Sequence, residues 1–243
     1  MAHQTLFLMR TLLRFFFYLL YHPFAFTYDI VAATVSLGRW KDWVLSVVPF
    51  IEGNQILEIG HGPGHLQRLL LSRHLLVVGI DESAPMGRLA KHNLRRFFSQ
   101  IQPKTSSPSK TNLNPQSDYT QISLTRGVAQ HLPFPNKSFD TVVATFPTEY
   151  IFESETLNEA QRVLISGGRL VILPSATILG RGILDRLMAL IFHITGQSSP
   201  SLSELLEEKT KAPFGESGFY VQIHELDIKS SLVFIIVATK LSH

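Results

Sequence analysis

Three glycines and one acid carry the most chemical information in this chain. Gly60, Gly62 and Gly64 follow directly on the apolar run Gln55–Ile59, and Asp81 closes a second apolar run, LLVVGID, twenty-one residues after Gly60. Glycine adopts positive φ without steric cost and lets a ligand approach the backbone closely. The run His65–Ser72 (HLQRLLLS) reads as the helix that follows, so the loop joins a strand's carboxyl end to a helix start with free N–H groups. That junction is the usual ligand crevice of an open α/β sheet, and Asp81 is placed to accept hydrogen bonds from ribose hydroxyls. The spacing is G-x-G-x-G rather than the G-x-G-x-x-G of dinucleotide-binding proteins. Glu58, an acid inside an otherwise apolar strand, is costly there unless paired. It reads either as a ligand contact beneath the loop or as a structural carboxylate.

These residues bring out a resemblance. The stretch Glu58–Gly64 (EIGHGPG), Asp81 within VVGIDES, Ala129–Asp140 (AQHLPFPNKSFD) and Glu159–Leu170 (EAQRVLISGGRL) stand in order over residues 50–173. Together they resemble the class I S-adenosylmethionine-dependent methyltransferases, in the broad group that includes quinone-biosynthesis and small-molecule enzymes. A lone glycine loop would be a weak sign; four motifs at this spacing are a strong one.

The resemblance implies S-adenosyl-L-methionine as cofactor. Asp81 then takes the ribose hydroxyls, Glu58 faces the methionine ammonium, and Gly60, Gly62 and Gly64 form the cradle. Val128 and Ala129 fall where the family has an acidic residue followed by alanine, the acid receiving the adenine amino group. Val128 departs from that pattern, so that bond has to come from backbone or water, or be absent. Tyr28, in an N-terminal helix of the kind that covers the cofactor in similar proteins, is a contact for the methionine part or a core residue. Phe146, Pro147, Thr148 and Tyr150 follow the fourth strand on the acceptor side. Their sequence, F-P-T-E-Y, lacks the Asn/Asp-Pro-Pro-Tyr/Phe signature of amino methylation of adenine or glutamine. No catalytic residue is assigned. Methyl transfer from a sulfonium is an in-line displacement at an activated carbon, for which holding the acceptor in line and excluding water suffices.

The elements that position these residues follow from periodicity. Strands are expected at Ile56–Ile59, Leu75–Ile80, Thr120–Thr125, Phe139–Thr145 and Arg169–Leu173, with a closing hairpin from Gly218–Leu226 and Ser231–Lys240. Helices are expected at Tyr28–Leu37, Trp40–Val48, His65–Ser72, Ala84–Phe98, Glu155–Leu164, Leu179–Thr195 and Ser201–Lys209. Ser83 is the expected N-cap of the second domain helix with Pro85 at its first position, and the turn Ser166-Gly167-Gly168 ends the helix before it. The fold class is α/β, a Rossmann-like seven-stranded, mostly parallel sheet with helices on both faces; the reversed last strand comes from the resemblance. Residues 1–49 form an N-terminal helical cap and residues 50–243 the methyltransferase domain. Within it, residues 99–118 are a flexible insertion loop and residues 174–243 the C-terminal helices and closing hairpin.

Composition narrows the function further. At 45% hydrophobic and 17% charged residues, 243 residues suffice for one well-buried domain. Zero cysteines exclude disulfides, thiolate metal sites and cysteine nucleophiles, and fit a cytoplasmic protein. No His/Asp/Glu spacing suggests a metal, and no G-x-S-x-G elbow supports a serine hydrolase. Arg88, Lys91, Arg95 and Arg96 fall on one helical stripe, a solvated outer face or one that meets anionic lipid or substrate. It lies away from the crevice, which argues against nucleic acid as substrate. Arg10 and Arg14 precede Phe15–Tyr21 (FFFYLLY), a run too short to span a bilayer. It reads as part of the cap or as a peripheral membrane contact. The function expected is methyl transfer to a small, lipophilic acceptor. The alternatives are a cofactor-binding protein without catalysis and a nucleic-acid methyltransferase.

Overall fold

A computed structural model describes residues 36–101, 122–179 and 213–241. Tyr28, the stretch Arg10–Leu20, the helices expected at Leu179–Thr195 and Ser201–Lys209, and nearly all of the 99–118 loop lie outside these residues.

One seven-stranded sheet holds the described chain together, in the order β3-β2-β1-β4-β5-β7-β6. Its strands are β1 (Gln55–Ile59), β2 (Leu76–Asp81), β3 (Ser123–Arg126), β4 (Phe139–Thr145), β5 (Leu164–Ile178), β6 (Phe219–Asp227) and β7 (Ser231–Lys240). β1 to β5 pair in parallel, and β7 runs antiparallel between β5 and β6. The helices are α1 (Trp40–Leu45), α2 (His65–Ser72), α3 (Ala84–Ile101) and α4 (Ser154–Val163).

Strand alternation sends neighbouring residues to opposite faces. Ile56, Val143 and Val171 pack with Trp43, Leu66, Leu70 and Leu94 of α1, α2 and α3. Leu57, Val142 and Ile172 pack on the other face with Leu157, Ala160 and Val163 of α4. Both faces of the central strands are therefore buried, which is why those strands read as nearly continuous apolar runs.

Several boundaries differ from expectation, each for a local reason. α3 runs to Ile101, past Phe98, because nothing breaks the helix until Pro103, which restricts the residue before it. Ser83 Oγ accepts the Met86 N–H (3.3 Å), as an N-cap should, but the helix opens at Ala84, so Pro85 takes its second position. β3 begins at Ser123 and extends to Arg126. The Ser166-Gly167-Gly168 segment does not end a helix: α4 stops at Val163 and Leu164 is already extended. Instead the two glycines carry a bulge in β5, where the pairing jumps from Phe139↔Leu164 to Thr141↔Arg169. Gly167 has φ +74°, and a Cβ on Gly168 would lie 2.8 Å from the Asp140 carbonyl.

Candidate active site

The carboxyl ends of β1, β2 and β4 open into a cavity of about 270 Å³. Gly60 and Gly62 line it on one side with Asp81, Glu82 and Ser83. Gly127, Val128, Ala129 and Gln130 line it next to them, and Phe146, Pro147, Thr148 and Tyr150 close the other side. Of the residues singled out from sequence, ten of the described twelve meet in this depression by lining its wall directly: Gly60, Gly62, Asp81, Val128, Ala129, Phe146, Pro147, Thr148 and Tyr150 as candidates, together with Ser83 as the expected cap. Glu58 and Gly64 sit behind the wall.

The glycine loop has the backbone its composition called for. Gly60, Gly62 and Gly64 have φ of +70°, +50° and +83°. A Cβ on Gly62 would meet no protein atom within 4 Å, so a side chain there would project into open space at the cavity's edge. A Cβ on Gly60 would lie 2.9 Å from the Tyr150 hydroxyl oxygen, so the two sides of the cavity approach each other at this point. Gly64 faces away, its missing Cβ leaving room for Ala90 of α3 at 3.2 Å.

Asp81 ties the loop down. Its Oδ2 accepts the Gly62 N–H (2.9 Å) and its Oδ1 accepts the Ser83 N–H (2.8 Å). The carboxylate is half-buried at the rim, and each oxygen keeps a lone pair for a further donor.

Beneath the loop lies a buried polar group. Glu58 is 1% exposed, and its Oε2 has no hydrogen-bond partner among the described residues. Burial pushes its carboxyl up to about 8; Gln67, on α2, offsets part of that and the Asp81 charge adds to it. Gln67 is close enough to act on the carboxyl, yet neither of its own side-chain polar atoms completes a hydrogen bond of good geometry. The shift therefore reflects desolvation first. His61 is buried as well, not solvated as a loop histidine usually is. Its Nδ1 donates to the Gly62 carbonyl (2.8 Å), and burial lowers its basicity against the opposing pull of Asp81. Gly79 makes the space: a Cβ there would lie 2.9 Å from His61 Cδ2 and 3.0 Å from Gln67 Nε2. A glycine inside the apolar run of β2 was the sequence sign of this close approach.

The segment after β3 is held from behind by a residue that motif reading passed over. Arg162, on α4, donates to the carbonyls of Leu132 (2.9 Å) and Phe134 (2.8 Å) and to Asn136 Oδ1 (2.7 Å). It also pairs with Glu159, whose Oε2 accepts the Leu132 N–H. The Arg162 hydrogen bond holds the Glu159 carboxyl below its ordinary range. The late motif thus clamps the middle one, and Val128 and Ala129 stand at the cavity end of the clamped loop. Asp140 plays a similar part at the opposite end of the sheet, its Oδ2 accepting the N–H groups of Asn54 (2.8 Å) and Gln55 (2.9 Å). It fixes the entry to β1.

The wall at Phe146–Tyr150 is aromatic. Phe146 has φ +50° and stacks on Trp40 at 4.1 Å, with Trp43 at 6.2 Å. Its N–H donates to the Leu173 carbonyl (2.7 Å), which anchors this strained residue to β5. No group of metal-ligating side chains occurs among the described residues, and no described helix is long and apolar enough to cross a membrane.

Comparison with known proteins agrees with this architecture. A family model described as a methyltransferase domain matches residues 57–172. An uncharacterized methyltransferase of Anoxybacillus flavithermus is 28% identical over 138 residues, 56% of this chain and 53% of that protein. A demethylmenaquinone methyltransferase of Thermotoga maritima is 26% identical over 160 residues, 63% of this chain and 59% of that protein. The chain thus spans little more than half the length of these relatives. Among solved structures, the magnesium protoporphyrin IX methyltransferase of Synechocystis, determined with bound SAH, superposes with a TM-score of 0.53 at 15% identity, over 82% of this chain and 83% of that one. Residues 57–172, a little under half of the chain, thus match a methyltransferase domain, and the sheet order agrees with the fold of the solved methyltransferases.

Proposed function

We propose that this chain binds S-adenosyl-L-methionine in the cavity at the ends of β1, β2 and β4 and methylates a small, lipophilic acceptor. The observation that carries the proposal is the two-sided cavity: a glycine cradle pinned by Asp81 on one wall, an aromatic wall at Phe146–Tyr150 on the other. The cradle fits the cofactor on two counts. Gly62 leaves its edge of the cavity open, and Asp81 retains acceptor capacity for ribose hydroxyls after bonding two backbone N–H groups. When bound, S-adenosylmethionine supplies a methyl group already activated on a sulfonium.

The protein's own part is to bind, orient and exclude water. Gly60 and Gly62 hold the chain clear of the ligand, Ala129 offers backbone to the adenine, and Val128 gives that ring an apolar edge in place of an acid. Glu58 and Gly64 act from beneath, the first as a carboxyl near the methionine end and the second by close packing of α2 on α3. Tyr28 and the cap of residues 1–49 would complete the methionine side. Phe146, Pro147, Thr148 and Tyr150 shape the acceptor's place, and the aromatic stack onto Trp40 favours a flat apolar molecule. The quinone-directed names among the relatives support a lipophilic acceptor.

Replacing Asp81 with alanine tests the proposal. Calorimetry should show S-adenosylmethionine binding weakened by about 1–3 kcal/mol, the range for groups left without a buried partner. Labelled methyl should also pass from the cofactor into the lipid extract of a cell lysate with the wild-type protein. Unchanged affinity in a folded Asp81→Ala protein would overturn the site. Binding without any labelled product would leave the cofactor reading and overturn the catalytic one.

A further inference from the structure

The outer face of α3 carries a charge pattern that the cavity does not use. Arg88, Lys91, His92, Arg95, Arg96 and Ser99 succeed one another at i, i+3, i+4, i+7, i+8 and i+11. All six are exposed and line one shallow groove, while Met86, Ala90 and Leu94 bury the opposite face. The helix contains no aspartate or glutamate over its eighteen residues. The ion pairs of the described residues, Arg162–Glu159, Arg169–Glu52 and Lys229–Asp42, lie elsewhere. Like charges at i, i+3 and i, i+4 destabilise a helix by a few tenths of a kcal/mol per pair, and an anionic surface would relieve that repulsion beyond what water and salt do.

Glu82, just before α3, is exposed, but five other exposed acids among the described residues stand apart from that row. Exposed Glu149, Glu153 and Glu155 lie by α4 on the other face of the sheet, and exposed Glu225 and Asp227 lie on the far edge strand, β6. A charge separation of this kind turns the α3 face toward a negative surface. The row is straight and about 16 Å long at 1.5 Å per residue. Among the described residues no exposed phenyl or indole ring stands beside it, and His92 is the row's single imidazole: Phe97 lies half-buried under the Arg68 guanidinium, and Phe98 packs on the core. Single-stranded nucleic acid would need such rings for stacking, whereas a flat sheet of anionic headgroups needs only the charges. Ser83, immediately before α3, lines the cavity, so a surface lying along this helix runs past the cavity mouth.

We propose that the exposed face of α3 docks the protein on an anionic lipid bilayer. The proposal is independent of the acceptor's identity and of the cofactor site. It is tested by flotation of the full chain with vesicles of phosphatidylcholine alone or with added phosphatidylglycerol. The wild type should float only with the anionic vesicles, and release when salt is raised from about 0.1 M to about 0.5 M. Replacing Arg88, Lys91, Arg95 and Arg96 with glutamine should reduce the bound fraction at least tenfold, with the melting temperature equal or raised and cofactor affinity unchanged. If that protein fails to fold, Arg95→Gln alone carries the test, with a loss of about fivefold expected for one basic residue. Three results overturn the proposal. The wild type stays unbound; the α3 variants float as well as the wild type while Arg10→Gln/Arg14→Gln does not; or transfer RNA displaces the protein from vesicles at equal charge concentration.

Discussion

The two walls of the cavity are built in different ways. On the glycine-loop wall, proposed for the cofactor, the chemistry resides in the backbone: two left-handed glycines, Gly60 and Gly62, and N–H groups of Gly62 and Ser83 held by one carboxylate. On the acceptor-side wall it resides in side chains, with Phe146 stacked on Trp40 and Tyr150 reaching to within 2.9 Å of where a Gly60 Cβ would be. A backbone site tolerates almost no substitution, because the defining feature is the absence of a side chain. A side-chain site can be reshaped one residue at a time without disturbing the other wall.

The largest effect expected from that difference is at Gly62. Gly62→Val places a branched side chain at the cavity's edge and at φ +50°, a conformation that β-branched residues avoid. Cofactor binding should fall below detection by calorimetry. A folded Gly62→Val protein with wild-type affinity would show that the cofactor does not approach this wall.

Next in size is the carboxyl beneath the loop. The Glu58 carboxyl is raised from 4.5 to about 8, so the folded protein holds a proton there that the unfolded chain gives up. Between those values stability falls as pH rises, by up to about 5 kcal/mol, and levels off above pH 8. Glu58→Gln, which does not titrate, should flatten that slope. Urea unfolding of both proteins from pH 5 to pH 9 measures it, and parallel curves would mean that Glu58 is ionised in the fold.

The backbone of the glycine-loop wall was largely legible in sequence, because a positive-φ glycine loop and an acid at a strand end are local features. α2, β4 and β7 were likewise found at their observed bounds. What stayed hidden depends on contacts distant in sequence. Arg162 grips carbonyls some thirty residues away, and nothing in the pair Glu159–Arg162 distinguishes a clamp from an ordinary i, i+3 ion pair. The burial of His61 depends on Gly79, on another strand, and so does not show in the loop's own sequence. The Gly167-Gly168 pair was assigned to a helix end, since a bulge against β4 cannot be read without knowing its partner. The aromatic wall was located but not its stacking, which needs Trp40 of α1 to arrive beside Phe146.

The acceptor wall should respond more mildly. Phe146→Ala removes the ring that faces the cavity and its stack on Trp40, a pair worth about 1 kcal/mol beyond its buried area. Cofactor affinity should hold within twofold, at about 0.4 kcal/mol on the binding scale, while KM for the acceptor found by methyl labelling rises several-fold. Equal losses in both would mean that the two walls are one coupled unit.

The smallest effect is expected at Val128, where the proposed cofactor wall departs from the methyltransferase pattern that the sequence resembles. Val128 is 36% exposed at the cavity edge, so an acid placed there is not buried without a partner and costs little in stability. The loop that carries it is pinned from behind by Arg162 and by Glu159 at the Leu132 N–H, so Val128→Asp changes a side chain without moving the backbone. A carboxylate here would stand where the family's acid receives the adenine amino group, and one added hydrogen bond to a charged acceptor contributes about 1–2 kcal/mol. Set against it is the repulsion from Asp81, which lines the same cavity. The net change should be an affinity equal to the wild type's or up to about tenfold tighter by calorimetry, with the gain in enthalpy. Loss of binding in a folded Val128→Asp protein would mean that this edge makes an apolar contact with the ring, and that backbone groups alone recognise the adenine.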